Sequence, residues 1–297
     1  MAKLLSENKT ELVKKASLLN LSAKTLAENL RSGNFKSLYR GQGIEFNGVR
    51  EYNPGDNVRS IDWNVSARLA RPFIKQYEED RELHVFFVLD RSVSMFCGSN
   101  KKSKIETASN AAALLVLACL INNSSIGAVF FDGKIRFSAK ASAGKEHAMM
   151  ILSHLDEVDE RIEKGSVLSN ALTGAIKILK KRSMVFIISD FRTTGWETPL
   201  ARLAVKNDVI ALRITDPSDS ELPEIGNVAF VDMESGERKR FSTSSKDFKS
   251  QWFEDNRQRV ENWKSFCIRH GAYPLCLSTT EDPFLVLNQF FMSRGEK

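Results

Sequence analysis

Leu83-His84-Val85-Phe86-Phe87-Val88-Leu89-Asp90-Arg91-Ser92-Val93-Ser94 is the stretch whose reading decides the fold. Its first seven residues form a nearly unbroken apolar run rich in β-branched and aromatic side chains. Such a run is expected of an interior parallel strand covered on both faces, since a strand with one wet face would alternate. The run stops at a carboxylate and two hydroxyls, Asp90, Ser92 and Ser94. In open α/β sheets the crevice at the carboxyl ends of the strands is where ligands bind. All three groups offer oxygen, the donor that hard divalent cations such as Mg²⁺ prefer.

Outward from that strand the pattern alternates. Ser103-Lys104-Ile105-Glu106 has the form of a capping box, and the helix after it carries Ala108, Ala111, Ala112, Leu115, Val116 and Cys119 on one stripe. Ile126 to Asp132 and Ile135 to Phe137 flank Asp132-Gly133, a hairpin signal. Helices are expected around Lys145 to Leu155 and from Ser169 to Leu179. Met184 to Ile188 is a second buried strand, ending in Ser189-Asp190, and Asp208 to Thr215 is a third, entered from a helix around Thr198 to Val205. A second hairpin turns at Ser235-Gly236. A long helix, about Lys246 to His270, leads to a short strand at Tyr273 to Leu277 and a closing helix after Pro283. Strands and helices alternating at these lengths predict an α/β fold, a doubly wound and mostly parallel sheet.

Residues 1–82 read as an accessory segment before an α/β domain at 83–297. Leu19, Ala23, Leu26 and Leu30 lie at helical spacing with Gly33 as a stop. Gly41 to Tyr77 reads as a compact strand-and-turn segment, with Pro54 and Gly55 placed for a type II turn. There, Arg50, Arg59 and Arg68 against Glu51, Asp56 and Asp62 suggest an ion-pair and hydrogen-bond network, with Trp63 as its apolar plug.

With 297 residues, 42% hydrophobic and 27% charged, the chain is ordinary for a globular protein. Its longest apolar stretches, such as Ala111 to Ile121, fall short of the roughly 20 residues that span a bilayer, and its first residues lack a leader's apolar core. A cytoplasmic location is the expectation. Cys97, Cys119, Cys267 and Cys276 form no Cys-x-x-Cys pair or zinc spacing and are expected to be reduced thiols. The net charge of +6 rests on short, scattered clusters such as Lys180-Lys181-Arg182 and Arg238-Lys239-Arg240. Each reads as a solvated face, so nucleic acid is not expected as a partner.

Three loops at one sheet edge thus carry oxygen donors: Asp90, Ser92 and Ser94 in the first, Lys164-Gly165-Ser166 in the second, Asp190 in the third. These residues resemble the metal-ion-dependent adhesion site of von Willebrand factor type A domains, whose signature is Asp-x-Ser-x-Ser, a later Thr and a later Asp. The resemblance runs from about Leu83 to Thr215. It implies Mg²⁺, with Mn²⁺ as an alternative, bound directly by Ser92, Ser94 and Ser166, while Asp90 and Asp190 act largely through water. Ser166 stands where the family has Thr, and Ser169 or Thr173 could fill that place instead. The last coordination position is left for an Asp or Glu carboxylate of a protein partner.

The segment before the sheet adds a second resemblance. Gly41-Gln42-Gly43-Ile44-Glu45-Phe46, Gly48-Val49-Arg50-Glu51-Tyr52, Pro54-Gly55-Asp56, Arg59, Ile61-Asp62-Trp63 and Ser66-Ala67-Arg68 resemble the bacterial domain-of-unknown-function family number 58. Members are often encoded beside MoxR-type AAA+ ATPases, which implies a non-enzymatic adaptor or assembly factor whose partner is such an ATPase or its client. Two other functions compete. A metal-dependent phosphohydrolase would use Asp90 as nucleophile, yet haloacid-dehalogenase-like enzymes want Asp-x-Asp-x-Thr, and Ser92 and Ser94 hold the later places. A nucleic-acid binder would rest on the basic clusters alone.

Overall fold

β3 (His84–Asp90) is buried at every position, as its composition demands, and lies third from one edge of a six-stranded sheet. The computed structural model describes residues 22–30, 44–79, 83–99, 102–157, 163, 165–221, 226–231, 238–242 and 245–295. Leu19, Gly33, Gly41 to Gly43, Lys164 and the Ser235-Gly236 turn lie outside these residues. The described residues fall into two compact units, one within 38–82 and the other combining 22–30 with the chain from Leu83 onward.

In the smaller unit, β1 (Ile44–Glu51) pairs antiparallel with β2 (Phe73–Glu79). Between them the Asn53 to Asp56 turn closes through Asp56 N–H donating to Asn53 O at 3.0 Å, with Gly55 at φ +107°, the left-handed position a type II turn reserves for glycine. Helix α2 (Trp63–Leu69) is started by Asp62, whose Oδ1 accepts from Asn64 and Val65 N–H. The expected ion-pair network is present in part. Arg50 grips Asp56 with both nitrogens, at 2.7 and 2.8 Å, while Glu51 pairs with Arg71 and Asp62 with Lys75. Arg59 and Arg68 make no ion pair among the described residues. Trp63 is not a plug: as the first residue of α2 it is 68% exposed and closes no apolar core.

In the larger unit the strands run in the order β10 (Tyr273–Ser278), β7 (Asp208–Thr215), β6 (Met184–Ser189), β3, β4 (Ser125–Phe131), β5 (Ile135–Ser142). All neighbours are parallel except β4 and β5, which form the hairpin marked by Asp132-Gly133. Outside the sheet, β8 (Asn227–Val231) and β9 (Arg238–Ser242) form a separate antiparallel pair.

Each strand's alternate side chains feed a different core layer, which is what a doubly wound sheet requires. On one face Phe86, Val88, Val185, Ile187, Val209 and Ala211 pack under α5 (Leu168–Ile178), α6 (Glu197–Lys206) and α7 (Lys246–Arg269). Toward the other face, Phe87 stacks on Phe186 at 5.5 Å, and Phe186 meets the edge of Phe291 on α8 (Pro283–Gly295). Burying each such ring contributes about 1.5–3 kcal/mol. This layer also holds α3 (Lys104–Ile121), which is long and apolar enough to span a bilayer but packs on the sheet and on α4 (Lys145–Asp156) and α8. Helix α1 (22–30), grouped with the accessory segment on sequence grounds, belongs here: Ala23, Leu26 and Leu30 are fully buried, and Asn29 donates to Asn288 at 2.6 Å.

Candidate functional site

The carboxyl ends of β3, β4, β6 and β7 meet at one rim. Asp90 closes β3, and its Oδ1 accepts from Ser92 N–H at 2.9 Å, so the carboxylate fixes the turn that follows it. That turn places Ser92 Oγ and Ser94 Oγ 3.2 Å apart. Arg91 steadies the loop from outside the rim, donating its backbone N–H to Phe131 O and its guanidinium to His154 O and Glu157 O at the end of α4.

On the neighbouring strand, Ser189 Oγ donates to Asp90 Oδ2 at 2.6 Å and accepts from Phe191 N–H at 3.0 Å. Phe191 adopts φ +52°, a left-handed conformation that costs a bulky residue about 1–3 kcal/mol and is held by its ring packing on Trp196 and Trp263. The bend aims Asp190 back into the rim. Asp190 is 3% exposed, its Oδ1 accepts from Arg192 N–H, and its Oδ2 makes no hydrogen bond among the described residues.

Ser166 comes from the far side of β3. Its loop hangs on Asp132, one residue beyond the Phe131 that pairs with Asp90: Val167 N–H donates to Asp132 O at 2.9 Å and Glu163 N–H to Asp132 Oδ2 at 3.0 Å. Ser166 Oγ is buried with no hydrogen-bond partner among the described residues. Of the alternatives in sequence, Thr173 spends its hydroxyl on Ser169 O within α5, at 2.8 Å, and is exposed.

The rim is electrostatically unbalanced. Burial first, and then the charge of Asp190, push the Asp90 carboxyl up to about 6, against the hydrogen bonds from Ser189 and Ser92. Asp90 has no cation in ion-pair contact among the described residues. A buried hydroxyl without a partner among the described residues, two more hydroxyls in contact and two like-charged carboxylates bring to this rim the oxygen donors that a hard divalent cation takes. Ser92, Ser94 and Ser166 with Asp90 and Asp190 are the groups able to hold it. Among the described residues no three His, Cys, Asp or Glu cluster as metal ligands, so the hydroxyls are essential to that fit.

Beside this rim lies a polar network that the sequence did not disclose. Lys104, the first residue of α3, is 2% exposed, and its Nζ stands 2.9 Å from Asp219 Oδ1 and 3.7 Å from Asp190 Oδ2. Arg192 also reaches Asp219 Oδ1, at 2.8 Å. Asp216, just past β7, accepts from Ser99 N–H, Ser218 N–H, Ser218 Oγ and Thr279 Oγ1. Burial acts to raise its carboxyl, but these hydrogen bonds, those of Ser218 foremost, hold it well below the usual carboxylate range.

Over residues 48–262 the chain matches the family described as Protein of unknown function DUF58. The chain belongs to this family. Uncharacterized proteins of Mycobacterium tuberculosis and Mycobacterium bovis are each 32% identical to this DUF58 chain over 227 residues, which is 75% of it and 71% of them. Among solved structures, an aerotolerance-related membrane protein of Bacteroides fragilis is similar at a TM-score of 0.45 and 15% identity, over 72% of this chain and 98% of that one. The SpRpn10 VWA domain is similar at a TM-score of 0.41 and 12% identity, over 70% of this chain and 93% of its own.

Proposed function

We propose that this DUF58 protein is a non-enzymatic, metal-dependent protein-interaction module. Ser92, Ser94 and Ser166 would hold Mg²⁺ or Mn²⁺, with Asp90 and Asp190 supporting through water, and an Asp or Glu of a partner would complete the shell. A MoxR-type AAA+ ATPase or its client is the partner proposed. The observation that carries the reading is the buried Ser166 hydroxyl, without a partner among the described residues, at the rim that also holds the Ser92–Ser94 contact and the Asp90 carboxyl raised by burial. Neutral hydroxyl ligands suit binding rather than storage of the metal, because they leave its charge available to an incoming anion, and mass action then couples metal to partner.

Calorimetric titration of MgCl₂ and MnCl₂ into the wild type and a Ser92→Ala, Ser94→Ala double variant tests the metal. Uptake by the wild type and none by the variant is expected. The partner is tested by binding of a purified MoxR-type ATPase from the same genome, with and without EDTA. A folded wild type that takes up neither cation would end this reading.

A further inference from the structure

The groups around the rim can be counted. Asp90, Asp190, Asp216 and Asp219 face Lys104, Arg192 and Arg213, where Arg213 is buried over the Trp263 ring and interacts with the Asp190 charge. On the Asp190 side of the rim, four carboxylates thus stand among three cations. Lys104 is the cation of this group that reaches from outside the metal-site loops directly to one of the proposed site carboxylates, and its stem is sealed under the core.

Resting on the proposed function, we infer that Lys104 is a positioning residue whose buried ammonium sets the cation affinity of the rim from within. Its Nζ is anchored on Asp219 at 2.9 Å and lies at 3.7 Å from Asp190 Oδ2, partly neutralising the carboxylate that a metal would need. Like charges repel strongly across a few ångströms of poorly hydrated protein, so the ammonium opposes a divalent cation at the same carboxylate. The outcome is a site that binds metal loosely alone and that, once loaded, stays more positive toward a partner's acid. Asp219 sets how far the ammonium leans toward Asp190. The two residues therefore act on the metal in opposite directions.

Titration of MgCl₂ and MnCl₂ into the full chain, with folding checked by circular dichroism and thermal melting, separates the possibilities. Lys104→Met removes one positive charge while leaving Asp219 bonded to Arg192 and to Asp216 N–H, and is expected to tighten Mg²⁺ binding at least tenfold. Lys104→Arg is expected to stay within about threefold of wild type, since the charge persists. Asp219→Asn unties the ammonium and adds net positive charge, and is expected to weaken binding several-fold. A general loss of structure would weaken both Lys104→Met and Asp219→Asn, and that pattern, or an unchanged constant in a folded Lys104→Met, overturns the inference. Uptake by Lys104→Met but not by wild type would sustain it while ending the metal-dependent function for the native chain. No uptake by either would end both.

Discussion

Ser189 Oγ and Asp90 Oδ2, 2.6 Å apart, tie together the last residues of two adjacent parallel strands at the point where both turn into loops. The bond satisfies one carboxylate oxygen without supplying charge, so Asp90 remains a buried carboxylate with no ion-pair partner among the described residues.

The pH dependence of stability follows from that condition. Without metal, burial and then the Asp190 charge push the Asp90 carboxyl up to about 6, above the ordinary carboxylate range, so the native state holds the proton more tightly than the unfolded chain. Its contribution is favourable at low pH and is lost as pH rises through about 6, a difference of about 3 kcal/mol for two pK units. Asp90→Asn should therefore raise the metal-free protein's stability at pH 8 and flatten its dependence between pH 5 and 7. Urea unfolding at both ends of that range measures it, and an Asn variant with the wild-type slope would contradict the assignment.

Metal should reverse the same penalty. Saturation at about 100 times the dissociation constant adds about 2.7 kcal/mol, which is a rise of several degrees in melting temperature. Differential scanning calorimetry with MgCl₂ should show this shift in the wild type, EDTA should remove it, and Ser166→Ala should shrink it.

A packing prediction concerns Gly127 in β4. A Cβ there would lie 2.6 Å from the Phe86 ring and 2.9 Å from Ala141 N, and both neighbours are held by the sheet. Gly127→Ala is expected to cost about 1–3 kcal/mol through overpacking, read as a lower denaturation midpoint with an unchanged slope.

The thiols should differ in reactivity. Burial pushes Cys119 and Cys267 up to about 12, and raises Cys276 too, whereas Cys97 is exposed beside the Ser94 turn. Brief treatment with iodoacetamide at pH 8, followed by peptide mass spectrometry, should find the label on Cys97 and leave Cys119 and Cys267 unmodified.

Much of the α/β unit is legible in sequence because its strands are wrapped on both sides. β3, β6 and β7 are apolar throughout, and a run such as Met184 to Ile188 has few other homes. The hydroxyls and carboxylates of the rim were legible because each directly follows such a run or opens a helix. The exposure of Trp63 is illegible for the opposite reason: within an irregular charged segment, one aromatic side chain has no periodic neighbours to fix which way it faces. The burial of Lys104 is not legible, because a lysine beside Lys101 and Lys102 reads as surface. Its burial depends on Asp190 and Asp219, far along the chain, and only the folded sheet brings those carboxylates to the start of α3. Helix α1 carried a clear apolar stripe, but a stripe does not name the surface it covers.

Asp132 holds more than a hairpin. The same carboxylate binds Arg136 of β5, Lys134 N–H of the turn and Glu163 N–H of the Ser166 loop. The outermost strand and one proposed metal ligand are consequently spliced to a single side chain. Loss of that one carboxylate would release the outer strand and the Ser166 loop together, so the border of the sheet and its rim share an anchor.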